Sequence, residues 1–118
     1  MVRTSSRCGS TVRAVVTDMN QPLGMSVGNA LEVQEAVELL SGKIPEDDPL
    51  YMVCMLLGSQ MLQMAGLAAD DDEAEKMLKA HIDDGSGLGK LQKMFELLGG
   101  DASFVTEEGM KKLTAVRR

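Results

Sequence analysis

The glycine-rich residues 85–90, GSGLGK, contain the residue types of a phosphate-binding loop and are the first candidate for chemistry. Such a loop holds phosphate oxygens with successive backbone N–H groups and a lysine, and it requires a fixed spacing. That spacing is not met, because Asp84 stands where the first glycine is needed and Leu91 stands where Ser or Thr is needed. A helical pattern rather than a strand precedes the segment. We therefore predict a turn between two helices.

The acidic residues 70–72 and the single histidine, His81, are the next candidates. The acidic run lacks the glycine and the later glutamate of a calcium-binding loop, so it predicts the capped start of a helix. His81 lies beside Met77 and Leu78 on an apolar stripe and has no Cys or His partner at metal-ligand spacing. We interpret it as a packed core histidine rather than as a ligand or a general base.

The two cysteines, Cys8 and Cys54, are too few to form a disulfide framework, and we expect both thiols to be reduced. Cys54 lies in an apolar segment and is interpreted as a small core residue. Cys8 lies in a polar segment with nothing nearby to activate it. The sequence also lacks a recognisable Ser/His/Asp set, an HExxH motif and paired carboxylates in a plausible cleft. We therefore assign no catalytic and no cofactor-binding residue to this chain.

The strongest local signal is a chain reversal within residues 17–35, TDMNQPLGMSVGNALEVQE. Val15 and Val16 favour a strand before it. Pro22 ends any regular element, and Gly24 permits a close backbone approach. Ser26 stands at a suitable N-cap position ahead of a helical apolar pattern. The layout of strand, tight loop and helix is the one in which α/β proteins place their sites.

The remaining elements follow from apolar periodicity and from glycine and proline positions. We expect helices over residues 27–40, 49–65 and 88–98, with Gly42 ending the first and the pair Asp48 and Pro49 starting the second. Ahead of the last of these, a further helix should start at the acidic residues 70–73 and end at the break over residues 84–87. The second helix is apolar on nearly every face and should be the most buried. The fold class predicted is mainly α, with one N-terminal β-strand followed by about four helices. Residues 102–118 are weakly patterned; their apolar residues leave open a short helix or a mobile tail, and they are Val105, Met110, Leu113 and Val116.

Composition limits the classes of function. The 118 residues suffice for one domain, and ten methionines with only 3% aromatic residues indicate a soft aliphatic core. A net charge of −6 argues against nucleic-acid and anionic-membrane partners. Residues 50–69 carry no charge, but polar side chains interrupt them and acids flank them, which favours a buried helix over a membrane span. Residues 1–10 are too short for a clear mitochondrial presequence, so we expect a cytoplasmic protein.

Four segments together resemble the thymidine phosphorylase and pyrimidine-nucleoside phosphorylase family. They read TDMNQPLG, VGNALEVQEAVELLSG, LGSQMLQMAGLA and EAEKMLKAHIDDGSGLGKLQKMFELLGGD. The resemblance covers about residues 12–101 and implies a piece from the middle of the family's α/β domain. We accordingly expect a divergent, flexible N-terminus over residues 1–10, a partial α/β domain over residues 11–101 and a weakly ordered tail over residues 102–118.

The resemblance implies reversible phosphorolysis, in which inorganic phosphate attacks C1′ of a pyrimidine nucleoside such as thymidine. The products are the free base and a pentose 1-phosphate. Family members are homodimers with the active site in a cleft between a helical and an α/β domain. The family's phosphate loop and base-binding residues have no counterpart in this sequence, so we expect the chain to be inactive alone.

The resemblance also implies a potassium ion near the phosphate loop. The matching positions are Leu23 and Ser26, through their backbone carbonyls, and Glu35, through its carboxylate. An oxygen-only donor set suits a hard cation. The remaining ligands belong to the phosphate loop that has no counterpart here, and the alternative is that Glu35 is a surface helix acid.

A second functional hypothesis comes from a different class. A strand without a neighbour leaves backbone groups unpaired, and the apolar helix that starts at Pro49 lacks part of its cover. This pattern indicates a non-catalytic helical module that binds a partner or associates with itself.

Overall fold

The computed structural model describes residues 2–115, and these residues are mainly helical. They form six α-helices and one 3₁₀ helix in the order α1 (Val2–Arg7), α2 (Asn29–Leu40), α3 (Pro49–Met64), α4 (Asp71–Asp83), α5 (Ser86–Leu97), the 3₁₀ helix (Ala102–Phe104) and α6 (Glu107–Ala115). The four helices expected from the sequence are present as α2 to α5. The mainly α fold class is therefore confirmed.

The expected N-terminal strand around Val15 and Val16 is not present, and that prediction was wrong. Between α1 and α2 the described chain has neither helix nor strand. A strand exists only when its backbone pairs with a neighbour. Among the described residues no backbone-to-backbone hydrogen bond involves residues 11–27, which we call the connector. Strand-forming side chains alone did not create a sheet, because the described chain contains no second strand.

The starts of α3 and α4 follow the capping signals of the sequence. The Asp48 carboxylate accepts a hydrogen bond from Leu50 N at 2.8 Å ahead of Pro49, as expected for an N-cap. The Asp70 carboxylate accepts from Glu73 N at 2.9 Å, and the Glu73 carboxylate accepts from Ala69 N at 2.8 Å. The acidic run therefore caps a helix, as predicted.

The start of α2 differs from the prediction. Ser26 is not its N-cap; Gly28 takes that position with a φ of 129°, and the helix begins at Asn29. The Gly28 N–H donates to the Glu32 carboxylate at 3.0 Å. The Ser26 N–H donates to the Glu35 carboxylate, and the loop continues past Ser26 to Gly28 before the helix begins.

The largest fully buried side chains lie where the C-terminal segment meets α2 and α5. Val37, Val105 and Met110 are almost fully buried, and α6 packs on α2. Partly buried apolar side chains of α2 and α5 surround them, namely Val33, Leu88, Leu91 and Phe95. Residues 102–115 thus supply part of the core. Val116, which the sequence offered as part of a tail helix, lies outside the described residues, as do residues 117–118 and Met1.

Helices α3 and α4 form a second packed pair. Ala74 of α4 is fully buried, and Gly58 of α3 sits so close to Leu78 that an added Cβ would lie 2.8 Å from its side chain. Helix α3, which was expected to be the most buried, buries three residues, Tyr51, Met55 and Ser59, against two in α2 and one in α4. Part of its surface is still exposed, because α4 and the connector cover it incompletely. Its exposed apolar residues are Met52, Leu56, Leu57, Met61 and Met64. None of the helices in residues 2–115 has the length and apolar character needed to cross a membrane.

Candidate functional site

Glu35 holds the end of the connector through its carboxylate. Its Oε1 atom accepts hydrogen bonds from Met25 N at 2.7 Å and from Ser26 N at 3.1 Å. Hydrogen bonds from backbone N–H groups to a carboxylate are assisted by charge and are stronger than neutral ones. The half-buried Glu35 side chain therefore fixes a loop that no regular element supports.

Gly24 makes this arrangement possible. A Cβ atom at residue 24 would clash with the Glu35 carboxylate, so only glycine lets the carboxylate come this close. Before it, the Asp18 carboxylate accepts a hydrogen bond from Asn20 N at 2.9 Å and forms an Asx turn. Pro22 then follows in a segment without regular structure.

A cavity of about 810 Å³ lies beside this loop, between the connector and helices α2 to α5. Its walls are mainly apolar, with Leu39, Leu50 and Leu78 among them. The polar side chains at its surface are those of Ser26, Glu32, Glu35 and His81. Leu23, Ser26 and Glu35, the three residues expected to share a cation, all line this one cavity.

The donors that Leu23, Ser26 and Glu35 can offer, two backbone carbonyls and one carboxylate, are all oxygens. Within residues 2–115 no group of three or more His, Cys, Asp or Glu side chains could hold a metal ion. A cation here would therefore depend on backbone carbonyls in addition to the Glu35 carboxylate. Its Oε2 atom accepts no hydrogen bond from the described residues, whereas Oε1 accepts two. Carbonyl and carboxylate oxygens suit hard cations.

His81 is exposed rather than packed, so the prediction of a core histidine was wrong. Its side chain is 62% exposed, and its Nδ1 atom lies 2.9 Å from Ser86 Oγ and 3.9 Å from Asp84 Oδ2. In a catalytic triad the acid and the nucleophile contact opposite ring nitrogens. Here both face the same nitrogen, which rules out that relay. Hydrogen bonds from Ser86 lower the pKa of Asp84, and the nearby His81 acts in the same direction.

The turn between α4 and α5 is shorter than predicted, because only Asp84 and Gly85 form it and residues 86–90 of the glycine-rich segment lie in α5. Gly85 adopts a φ of 74° as the N-cap residue of α5, and Ser86 is the first residue of that helix.

Cys54 lines the cavity and is not a buried core residue, which corrects the prediction. Partial burial raises the pKa of its thiol, opposite to the shift that activates a nucleophilic cysteine. Cys8 is exposed.

Sequence reasoning missed a second polar anchor of the connector. Arg13 Nη1 donates to Gln60 Oε1 at 2.7 Å and to Gln63 Oε1 at 3.0 Å, both on α3. The two glutamines stand three residues apart on the helix, a spacing that places side chains on one face. That spacing was the available signal, but nothing local connects it to an arginine so distant in sequence.

Comparison with known proteins agrees with the resemblance. A family model described as "Glycosyl transferase family, a/b domain" matches residues 1–88. Over 107 residues the chain is 42% identical to a pyrimidine-nucleoside phosphorylase of Geobacillus stearothermophilus, covering 91% of this chain and 24% of that protein. It is 43% identical over 105 residues to the pyrimidine-nucleoside phosphorylase of Staphylococcus haemolyticus, covering 89% and 24%. The chain thus spans about a quarter of the length of these relatives. No solved structure gives a significant match.

Proposed function

The chain belongs to the pyrimidine-nucleoside phosphorylase family of glycosyl transferases, and on this premise we propose that it braces the phosphate site of such an enzyme. The proposed reaction is phosphorolysis of a pyrimidine nucleoside. A phosphate oxygen bonds to C1′ as the bond from C1′ to the base breaks. The base leaves with the bonding electrons and takes up a proton. The observation that carries the proposal is the 42% identity to a named phosphorylase across 91% of the chain.

The bracing role is supported by the contacts of Glu35. The loop of residues 24–26 is held by two hydrogen bonds to one carboxylate oxygen of Glu35. The carboxylate lies so close to Gly24 that a Cβ atom there would clash with it. A fixed loop of this kind can support a neighbouring phosphate loop without contacting the reacting atoms. The phosphate loop and the base-binding residues that the resemblance implies have no counterpart in this sequence. We therefore propose that the chain does not catalyse phosphorolysis alone.

Potassium binding forms part of the same proposal. The carbonyl oxygens of Leu23 and Ser26 and the free carboxylate oxygen of Glu35 would hold the ion together with ligands from outside this sequence. These three positions line one cavity and offer only oxygen donors, which supports this assignment. When bound, the ion would supply positive charge near the phosphate. The cytoplasmic location also belongs to the proposal, whereas the homodimer is proposed for the full-length family enzyme and not for this chain alone.

An assay on two proteins tests the function. The purified chain, incubated with thymidine or uridine and phosphate, should release no base. A chimera of the Geobacillus stearothermophilus relative, with its 107 matched residues replaced by those of this chain, should retain phosphorolysis. Base release by the chain alone would overturn the proposed inactivity. A chimera that has the circular dichroism and melting behaviour of the relative but no activity would overturn the bracing role.

A helical module that associates with itself is the second candidate. The observation that favours it is apolar exposure in the connector, where Val16, Met19 and Met25 are each more than 90% exposed. Burying such side chains against a second copy would remove apolar surface from water. A sedimentation coefficient that rises with protein concentration would support this candidate. A monomer at all concentrations, with a cooperative melt, would exclude it.

A further inference from the structure

Two side chains anchor the connector to the helices by hydrogen bonds. Within the described part of the chain, Arg13 bonds to α3 near the start of the connector, and Glu35 of α2 bonds to Met25 and Ser26 near its end. The Asx turn at Asp18 is internal to the connector. The chain reversal around Pro22 is therefore held at both ends by polar contacts rather than by regular structure.

The Arg13 contact is the outer part of a larger network centred on Asp71, the first residue of α4. Its Oδ1 atom accepts hydrogen bonds from Ser59 Oγ at 2.5 Å, from Gln63 Nε2 at 2.6 Å and from Gln60 Nε2 at 3.3 Å. Ser59 is only 4% exposed, so its hydroxyl needs a partner inside the fold. Asp71 satisfies this requirement.

The side-chain amides of Gln60 and Gln63 bridge the Asp71 carboxylate and the Arg13 guanidinium by hydrogen bonds. Their amide nitrogens point to the carboxylate, so their amide oxygens point away from it and toward the guanidinium. The reverse orientation would place oxygen against carboxylate and nitrogen against guanidinium. The carboxylate and the guanidinium thus fix the orientation of both amides, and the network has one favourable arrangement.

We propose that Arg13 is a positioning residue for the loop of residues 24–26. It fixes the entry of the connector as Glu35 fixes the exit, which restricts the chain between them. Closing a flexible loop costs conformational entropy, and a second fixed end reduces the freedom that remains. The role of the positioned loop, which is to brace the phosphate site, rests on the proposed function. The positioning by Arg13 itself does not depend on catalysis.

Amide hydrogen exchange of the full chain, measured residue by residue by NMR, tests the proposal. In Arg13→Met the Met25 and Ser26 amides should exchange about two- to fivefold faster, the range expected for losing an exposed charged contact. Amides in the middle of α3 and α5 should keep their rates. Arg7→Met, which removes the same charge from exposed helix α1, is the matched control and should change neither set. Arg13→Lys keeps a cationic donor and should give an intermediate effect.

Two outcomes would overturn the proposal. One is an unchanged exchange rate at Met25 and Ser26 in Arg13→Met. The other is faster exchange by the same factor throughout α2 to α5, which would mean that Arg13 only stabilises the whole fold. If Arg13→Met does not fold, Gln63→Ala removes one acceptor and should show a smaller effect at the same two amides. An inactive chimera would overturn the proposed function without changing these exchange rates. Failure of the proposed function can therefore be distinguished from failure of the positioning role of Arg13.

Discussion

Glu35 lies directly against the backbone of Gly24, with no room between them for a side chain. The same carboxylate accepts the Met25 and Ser26 N–H groups at 2.7 and 3.1 Å. These two hydrogen bonds require the carboxylate to approach the loop closely. The absence of a Cβ atom at residue 24 permits that approach. The loop and helix α2 are joined by this contact.

Gly24→Ala should break that contact. The added methyl group would push the carboxylate away and free two N–H groups, at a cost of about 1–2 kcal/mol in the free energy of unfolding. Gly89→Ala is the matched control, because it lies inside α5 with open space around it and should stabilise by about 0.5–1 kcal/mol. Urea unfolding measures both. Equal stability of Gly24→Ala and the unmodified chain would contradict the contact.

Met110→Ala should destabilise the fold strongly. Met110 is 2% exposed and packs in the core cluster, so its truncation should cost about 2–5 kcal/mol. Met61→Ala makes the same chemical change at a side chain that is 70% exposed and should stay within about 0.5 kcal/mol of the unmodified chain. Thermal and urea unfolding compare the two. Similar effects would mean that the C-terminal segment does not contribute to the core.

The parts of the fold predicted correctly depend on local chemistry. The Asp48 cap before Pro49, the Asp70 cap and the positive φ at Gly42 each involve residues within a few positions of one another. The helix and turn boundaries that follow from them could be read from the sequence. The assignment of Leu23, Ser26 and Glu35 to a shared cation came from a resemblance and stays a prediction; all three line one cavity.

The parts missed depend on contacts between distant residues. Val15 and Val16 favour a strand, but a strand needs a partner that the described chain does not contain. Gly28 rather than Ser26 precedes α2, and the Ser26 N–H makes a tertiary bond to Glu35 on that helix. The burial of Met110 against α2 and the bonds from Arg13 to α3 are likewise tertiary. No periodicity in the sequence encodes such pairs.

The single tyrosine, Tyr51, should titrate above its ordinary pKa. Burial raises its pKa, and the nearby Glu46 raises it further, although Lys79 acts in the opposite direction. A pKa above 10.0 in the folded state means that folding favours the neutral phenol. The resulting stability is fully present below pH 10.0 and is lost as the pH rises toward the folded pKa.

Ultraviolet absorbance of tyrosinate measures this directly, because the chain has one tyrosine and no tryptophan. The urea-unfolded chain serves as the reference and should titrate near 10.0. Tyr51→Phe should remove the part of the alkaline loss of stability that belongs to this group. Coincident titration curves for the folded and unfolded chains would show that Tyr51 is not desolvated.

Glu35→Gln should weaken potassium dependence in the chimera with the Geobacillus stearothermophilus relative. The amide keeps the shape of the side chain but removes the negative charge and one acceptor oxygen. The potassium concentration for half-maximal phosphorolysis should then rise about tenfold or more, as for other changes at metal sites. Glu38→Gln, also on α2 and bonded to Gln34, is the charge-matched control and should leave that concentration unchanged. An identical potassium requirement in both variants would show that Glu35 is not a ligand of the cation. Its hydrogen bonds from Met25 and Ser26 would not be affected by that result.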